Sequence, residues 1–101
     1  MDSARVVGFD WDEGNWPKCG KHGVNRAEIE QAFVNGPAVY AHPGHSIDEQ
    51  RLRAIGRNNE GRAIYVSFTI RHKPEGDYIR PVSARYMHKR EIERYERHGK
   101  A

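Results

Sequence analysis

The segment at residues 62–71 constrains the fold more than any other part of the chain, because its apolar and polar side chains alternate without interruption. Successive side chains of a β-strand point to opposite faces, so this period of two predicts a strand with one buried face. The buried face carries Ile64, Val66, Phe68 and Ile70, and the opposite face carries Tyr65, Ser67, Thr69 and Arg71. A sheet built on this strand must be covered by helices on its apolar side.

Neighbouring segments predict further short strands at residues 38–41, 50–57 and 78–83, and residues 6–10 are compatible with an initial strand. The segments between them, at residues 42–45, 58–61 and 73–77, are rich in turn-forming residues. Since successive hairpins place neighbouring strands in opposite directions, we expect an antiparallel sheet of about four strands.

Three helices are expected beside this sheet. The first runs from residue 12 towards residue 21, although glycine and proline interrupt it. The second begins at Asn25, which forms a capping box with Glu28, and it ends at the Gly-Pro pair at 36–37. The third covers residues 87–98. The predicted fold class is therefore α+β, with two N-terminal helices and a C-terminal helix packed on the sheet.

The length and composition limit the classes of protein to which this chain can belong. Its 101 residues fit a single domain, residues 1–101, with one hydrophobic core. No apolar run approaches the ~20 residues of a membrane-spanning helix, and the first five residues lack the pattern of a signal peptide. The lone Cys19 excludes an intrachain disulfide framework. Together these features predict a cytoplasmic protein without membrane contact.

The charge is unevenly distributed along the chain, although the net value is only +3. Residues 1–70 carry eight Lys/Arg and nine Asp/Glu, whereas residues 71–101 carry nine Lys/Arg and five Asp/Glu. Such asymmetry is typical of a protein with an anionic partner, either a nucleic acid or an acidic protein. The alternative is a solvated terminal helix whose charges pair with one another.

Sorting the strand residues by face places several arginines on the open side of the sheet, interleaved with tyrosines. These residues are Arg53, Arg57, Arg71 and Arg80, with Tyr65 and Tyr78. Arginine forks match phosphate oxygens, and aromatic rings stack on unpaired bases, so this pattern predicts an RNA-binding surface. The alternative is an ordinary solvated face of an antiparallel sheet.

The sequence contains no recognisable cofactor-binding motif. His42 and His45 have an H-x-x-H spacing, but two ligands are too few for a metal site, and the chain has no phosphate-binding glycine loop. No Cys/His/Asp set supports Cys19 as a nucleophile. His22 has the pKa range of a general acid or base, and it is equally suited to a structural role at a helix end. We therefore expect no metal and no cofactor.

Several segments in order along the chain resemble BrnT-type toxins. They are residues 9–15, 18–24 and 28–30 in the first half, and 55–57, 79–87 and 91–96 in the second. The most specific are Lys-His-Gly at 21–23 and Ile-Arg-Pro-Val-Ser-Ala-Arg at 79–85. The resemblance covers nearly the whole chain.

This resemblance implies a bacterial toxin of a type II toxin–antitoxin pair with a RelE-like fold, in which helices pack on a strongly twisted antiparallel sheet. It implies a ribonuclease that cleaves RNA and stops translation. It also implies a partner antitoxin with a ribbon-helix-helix DNA-binding domain, so that the toxin would contact DNA only through the antitoxin.

Functional residues follow from the matching motifs. The resemblance implies roles for Arg57, Arg80 and Arg85, and less directly for Lys21 and His22. In a metal-independent cleavage, the RNA 2′-hydroxyl attacks the adjacent phosphate while Arg57 and Arg80 stabilise the developing charge. Arg85 would hold the substrate or assist the leaving oxygen, and His22 is the base candidate. The predicted RNA-binding residues are Lys21, Arg53, Tyr65, Arg71 and Tyr78.

A second hypothesis keeps the same basic surface without catalysis. The chain would then be a module that only binds RNA, or that binds its antitoxin and represses transcription with it. A convincing general base would separate the two hypotheses, and the sequence alone does not identify one.

Overall fold

The computed structural model describes residues 6–41 and 51–99, and its side chains up to residue 97. The predicted turn at 42–45, with His42 and His45, lies outside the described residues. The elements are β1 (Val6–Phe9), α1 (Arg26–Val34), β2 (Ala38–Ala41), β3 (Leu52–Arg57), β4 (Ala63–Lys73), β5 (Gly76–Tyr86) and α2 (Lys89–Gly99), with a short 3₁₀ helix at Lys18–Gly20.

The five strands form one mixed sheet in the order β1-β5-β4-β3-β2. The predicted antiparallel pairing is correct for β2 to β5, which follow one another in the sheet and in the chain. The predicted number of about four strands, all antiparallel, is wrong in detail, because β1 adds a fifth strand parallel to β5. No hairpin joins β1 to β5, so hairpin patterns carry no information about its direction. The α+β class is confirmed.

The first of the three predicted helices is absent from the described residues, which leaves two α-helices. Residues 13–17 form turns, and only Lys18–Gly20 makes a 3₁₀ turn. Pro17 has no N–H for a helical hydrogen bond, and the Asp12 side chain accepts the backbone N–H of Gly14 at 2.7 Å. Local side-chain bonds therefore replace the helix that the sequence suggested.

The helix α1 begins and ends where its sequence predicts. Asn25 and Glu28 form the capping box, and Gly36 follows the helix with a φ of 82°. The helix lies so close to β3 that a Cβ at Gly56 would overlap the carbonyl oxygen of Ala32. The glycine therefore permits the close packing of α1 on the apolar face of the sheet.

The hydrophobic core lies between α1, the N-terminal segment and the predicted apolar face. Ile64, Val66 and Phe68 of β4 are fully buried, as expected from the alternation. Cys19 also is fully buried, and this burial raises the pKa of its thiol to about 11. The thiol therefore packs as a small apolar side chain.

An irregularity in β5 decides which way its arginines point. The register pairs Phe68 with Pro81 but Ser67 with Ser83, so Val82 is an extra residue in β5. Arg85 follows Arg80 by five positions, and an odd offset would place the two side chains on opposite faces of a regular strand. The bulge corrects this parity, and both arginines lie on the side opposite the core.

The helix α2 covers one end of that opposite side. Tyr95 packs against Tyr40 with ring centroids 5.9 Å apart, and Ile92 lies near Ile55 and Ala63. An apolar side chain at Ile55, out of place on a solvated face, is explained by this cover. No helix among the described residues is long and apolar enough to cross a membrane.

Candidate nucleic-acid interface

The open face is the side of the sheet opposite the core, defined by residues that share a face through their register. It comprises Tyr40, Arg53, Ile55, Arg57, Tyr65, Ser67, Thr69, Arg71, Tyr78, Arg80, Ser83 and Arg85. The strand residues predicted for this face, Arg53, Arg57, Tyr65, Arg71, Tyr78 and Arg80, all lie on it. Arg85 joins them because β5 continues to Tyr86, beyond the predicted end at residue 83.

Arg85 lies between an aromatic ring and a carboxylate. Its guanidinium carbon is 4.6 Å from the ring centroid of Tyr65, its cross-strand neighbour. Both terminal nitrogens donate to Glu91 of α2, at 2.7 and 2.6 Å, and the Arg85 side chain is 40% exposed. These bonds hold the pKa of Glu91 below its usual range, so the carboxylate is charged at neutral pH.

Arg80 lies in a tighter arrangement at the other end of β5. Its guanidinium donates to both carboxylate oxygens of Asp12 at 3.0 Å and to Asp10 at 3.2 Å. The Arg80 side chain is only 13% exposed. Its bonds, together with the Gly14 N–H, lower the pKa of Asp12. This arrangement favours a structural role for Arg80, and its catalytic role stays a prediction.

Arg57 lies at the end of β3, beneath the edge of α2. It donates to the carbonyl oxygen of Gly61 at 2.7 Å and to Glu96 of α2 at 3.0 Å. Both side chains of the ion pair with Glu96 are about half exposed, so its net contribution to stability is small. The Arg57 guanidinium is therefore accessible from solvent.

The three arginines predicted to be catalytic do not converge on one point. Strand spacing puts Arg80 and Arg85 about 15 Å apart along β5, and Arg57 lies two strands away from β5, at about 10 Å. Each one pairs with a different acidic side chain. The three guanidinium groups therefore share no carboxylate partner among the described residues.

Arg53 lies in the middle of the open face, in the row that also contains Tyr40, Ser67 and Ser83. Its guanidinium carbon is 5.6 Å from the Tyr40 ring centroid. Within the part of the chain that the structure describes, the buried Nε of Arg53 and Oγ1 of Thr69 have no hydrogen-bond partner. Two polar atoms with unused hydrogen-bonding capacity therefore lie in the open face.

Arg71 and Tyr78 are cross-strand neighbours at the far end of the face. Arg71 is exposed, and Lys73 places its Nζ 4.5 Å from the Tyr78 ring centroid. Lys73 also lies 3.9 Å from Asp10. Lys73 was predicted to lie in a turn, but it is the last residue of β4 and extends the basic surface beyond Arg71.

Lys21 and His22 lie apart from this face. Both are exposed in the segment between the 3₁₀ helix and α1, and the Tyr86 hydroxyl reaches the neighbouring Gly23 carbonyl at 3.5 Å. Residues 6–41 and 51–97 contain no hydrogen bond or ion pair that joins either side chain to the arginines. The structure therefore does not bring the predicted base to the predicted phosphate-binding residues.

His88 is the described histidine that adjoins Arg85 through a shared partner. It precedes α2, and its backbone N–H donates to Glu91 at 3.4 Å. Its charge, when present, is close enough to lower the pKa of Glu91. Sequence reasoning missed His88 because it placed residue 88 inside the third helix, whereas β5 continues to Tyr86 and α2 begins only at Lys89.

The carboxylates of α2 were also missed as partners of the arginines. Helical spacing puts Glu91 and Glu96 on the side of α2 that carries Ile92 and Tyr95. That spacing was the available signal. By contrast, nothing local in the sequence pairs Arg80 with carboxylates that lie 68 and 70 residues earlier.

A second polar cluster lies at the junction of α1, the β3–β4 loop and β5. Glu28 accepts hydrogen bonds from Asn58 and from the Tyr86 hydroxyl, at 2.9 Å each, and Arg62 stacks on the Tyr86 ring. Burial acts to raise the pKa of Glu28, but these donors outweigh it and lower the pKa. Because the side chains of this cluster bond to one another, we interpret the cluster as a structural contact that links α1, the β3–β4 loop and β5.

Comparison with known proteins identifies a family. The family model described as "Ribonuclease toxin, BrnT, of type II toxin-antitoxin system" matches residues 11–91. The comparison with curated proteins gave no significant match. No group of three or more His, Cys, Asp or Glu side chains is arranged to hold a metal ion in the described ranges 6–41 and 51–97.

Proposed function

Because the chain belongs to the BrnT family of ribonuclease toxins of type II toxin–antitoxin systems, we propose that it is an endoribonuclease that binds RNA on its open face. The reacting phosphate lies at Arg85. The observation that carries this assignment is the position of Arg85, which is half exposed and stacked on Tyr65. A planar cation and an aromatic ring together match a phosphate and the base next to it.

The proposed reaction needs no metal ion. The RNA 2′-hydroxyl oxygen attacks the adjacent phosphorus, and the bond from phosphorus to the 5′-oxygen breaks. The 2′-hydroxyl proton passes to the proton acceptor and the leaving 5′-oxygen takes a proton from water, so the products are a 2′,3′-cyclic phosphate and a 5′-hydroxyl. A guanidinium beside the phosphate stabilises the charge that develops on its oxygens, and this kind of contact is worth about 10²–10³ in rate.

The proton acceptor in this proposal is His88. Its backbone N–H donates to Glu91, the partner of Arg85, so the residue lies beside the proposed phosphate site, and an imidazole is a side chain able to accept a proton in catalysis. His22 stays the acceptor predicted from the sequence. Comparing His22→Gln with His88→Gln separates the two candidates, since only loss of the true acceptor removes the acidic limb of the pH–rate profile, where activity rises as the acceptor deprotonates.

The remaining predicted residues fall into two groups in this proposal. Arg53, Arg57, Arg71 and Tyr78 would bind the RNA chain on either side of Arg85, and Lys21 would contact it only beyond the face. Arg80 would position the face through Asp10 and Asp12 and would not contact RNA. This division follows from exposure, because Arg80 is 13% exposed whereas Arg57 is 48% exposed.

The biological proposal extends the family assignment. Cleavage of cellular RNA in the cytoplasm would inhibit translation. An antitoxin with a ribbon-helix-helix domain would neutralise the toxin and connect it to DNA. The type II family supports an antitoxin partner and an RNA substrate. The ribbon-helix-helix domain and the effect on translation belong to the proposal.

An assay of purified protein on end-labelled RNA in EDTA tests the reaction. We expect cleavage by the wild type and a loss of about 100-fold or more in Arg85→Ala. Arg94→Ala is the matched control, because it removes an equal charge from the exposed side of α2. Equal loss in both variants would contradict the assignment of Arg85.

A second candidate function is a non-catalytic RNA- or antitoxin-binding module. It is favoured by one observation, namely that Arg57, Arg80 and Arg85 all pair with carboxylates of the chain itself. Intact RNA after incubation with the wild type, both with and without ribosomes, together with measurable binding, would support this second function.

A further inference from the structure

The helix α2 carries its charges on two distinct sides. The side that faces the sheet holds Glu91 and Glu96 around the apolar Ile92 and Tyr95. The outer side holds Arg90, Glu93, Arg94 and Arg97, which are all exposed. The acidic side chains that face the sheet therefore meet a surface that is otherwise basic.

Both of these carboxylates form ion pairs with arginines of the proposed RNA-binding face. Glu91 binds Arg85 through two hydrogen bonds, at 2.6 and 2.7 Å, and Glu96 binds Arg57 at 3.0 Å. A carboxylate and a phosphate bind a guanidinium fork with the same geometry. Each glutamate therefore holds an arginine through the donors that an RNA phosphate would use.

The helix α2 buries little surface against the sheet. None of residues 89–97 is buried, whereas α1 buries Ile29 and Ala32 completely. A cavity of about 380 Å³ remains between α2 and the sheet, lined by Tyr40, Ile55 and Tyr95 among others. Little buried apolar surface holds the helix in place, so the half-buried Ile92 and Tyr95 and the two weak ion pairs together determine its position.

We propose that α2 is an intramolecular competitor of RNA. In the free protein its two carboxylates occupy the Arg57 and Arg85 guanidinium groups, and RNA binds by displacing them with phosphates. The proposal rests on the proposed function, since it concerns the regulation of the same site. The resting protein is therefore partly inhibited by its own C-terminal helix.

The size of the effect follows from the exposure of the pairs. Ion pairs of this kind contribute little net free energy, which corresponds to no more than about 5-fold in affinity for each carboxylate removed. RNA is able to overcome such a barrier, because it brings several phosphates to the face at once. The inhibition therefore lowers the affinity for RNA moderately and does not prevent RNA from binding.

The test measures the affinity of a 2′-O-methyl RNA dodecamer of mixed sequence, which binds without being cleaved, by fluorescence anisotropy. We expect Glu91→Gln and Glu96→Gln each to bind about 3- to 5-fold more tightly than the wild type. Glu93→Gln is the control, with the same charge change on the outer side of the same helix, and it should stay within about twofold.

A conservative variant separates a change of charge from a change of fold. Glu91→Asp keeps the charge and should keep an affinity near that of the wild type, and far-ultraviolet circular dichroism verifies that each variant is folded. Equal affinities of Glu91→Gln, Glu96→Gln and Glu93→Gln would overturn the competition while leaving RNA binding intact. If no folded variant binds the RNA, the proposed function fails and the inference fails with it.

Discussion

The two ends of β5 hold arginines in different ways, although both use carboxylates. At one end, Arg80 has two acidic partners and is almost covered. At the other end, Arg85 has one acidic partner, Glu91, and leaves a large part of its side chain in solvent. The chemistry of the bonds is the same, so the difference lies in what holds the carboxylates in place.

The partners of Arg80 belong to a fixed segment. Asn15, which is 3% exposed, donates to the carbonyl oxygens of Asp10 and Pro81 at 2.9 Å each and accepts the Asp12 N–H. Cys19 anchors the same segment in the core. The partner of Arg85 lies on α2, which has no buried residue between 89 and 97. An arginine whose carboxylate partner is firmly anchored therefore acts as a structural clamp. An arginine whose partner is weakly anchored stays available to bind a ligand.

Removal of the Arg80 side chain should have the largest effect on stability. Arg80→Ala leaves Asp10 partly buried without its cation, and we expect a loss of about 2–3 kcal/mol in the free energy of unfolding. Urea denaturation measures it. Arg71→Ala, an exposed neighbour with the same charge change, should stay within about 0.5 kcal/mol. Similar losses in the two variants would remove the distinction between clamp and surface charge.

Alkaline pH should destabilise the protein through Cys19, which anchors the segment that holds the Arg80 partners. Burial raises the pKa of Cys19 to about 11, whereas an unfolded thiol ionises near about 8.5. A raised pKa in the folded state contributes stability that is present below the unfolded value and is lost as pH rises towards 11. We expect the urea midpoint to fall between pH 8.5 and about 11 in the wild type, and to fall less in Cys19→Ala.

Loss of the Glu91 carboxylate should have the smallest effect on stability. Its partner Arg85 is partly exposed, so Glu91→Gln should change the free energy of unfolding by no more than about 1 kcal/mol. Hydrogen exchange should show faster exchange of α2 amides in the variant and unchanged exchange in β4 and β5. Global unfolding of the variant would mean that α2 is as firmly anchored as the N-terminal segment.

The sequence predicted those features that depend on local periodicity and capping. Alternation in β4 assigned its residues to the correct faces, although Ser67 and Thr69 on the open face are buried, and the capping box located the start of α1. The Val82 bulge was not predictable from alternation, because it is an exception to that period. The partners of Arg80 and Arg85 depend on tertiary approach, so charge counts in the sequence could not identify them.

The most direct measurement compares the RNA cleavage rates of Arg85→Lys and Arg80→Lys under conditions in which both variants are folded. Lysine keeps the positive charge but loses the two-pronged contact with a phosphate. We expect Arg85→Lys to lose about 100-fold or more, because the proposed transition-state contact is lost. Arg80→Lys should stay within a few-fold of the wild type. A large loss in Arg80→Lys with full activity in Arg85→Lys would contradict the account.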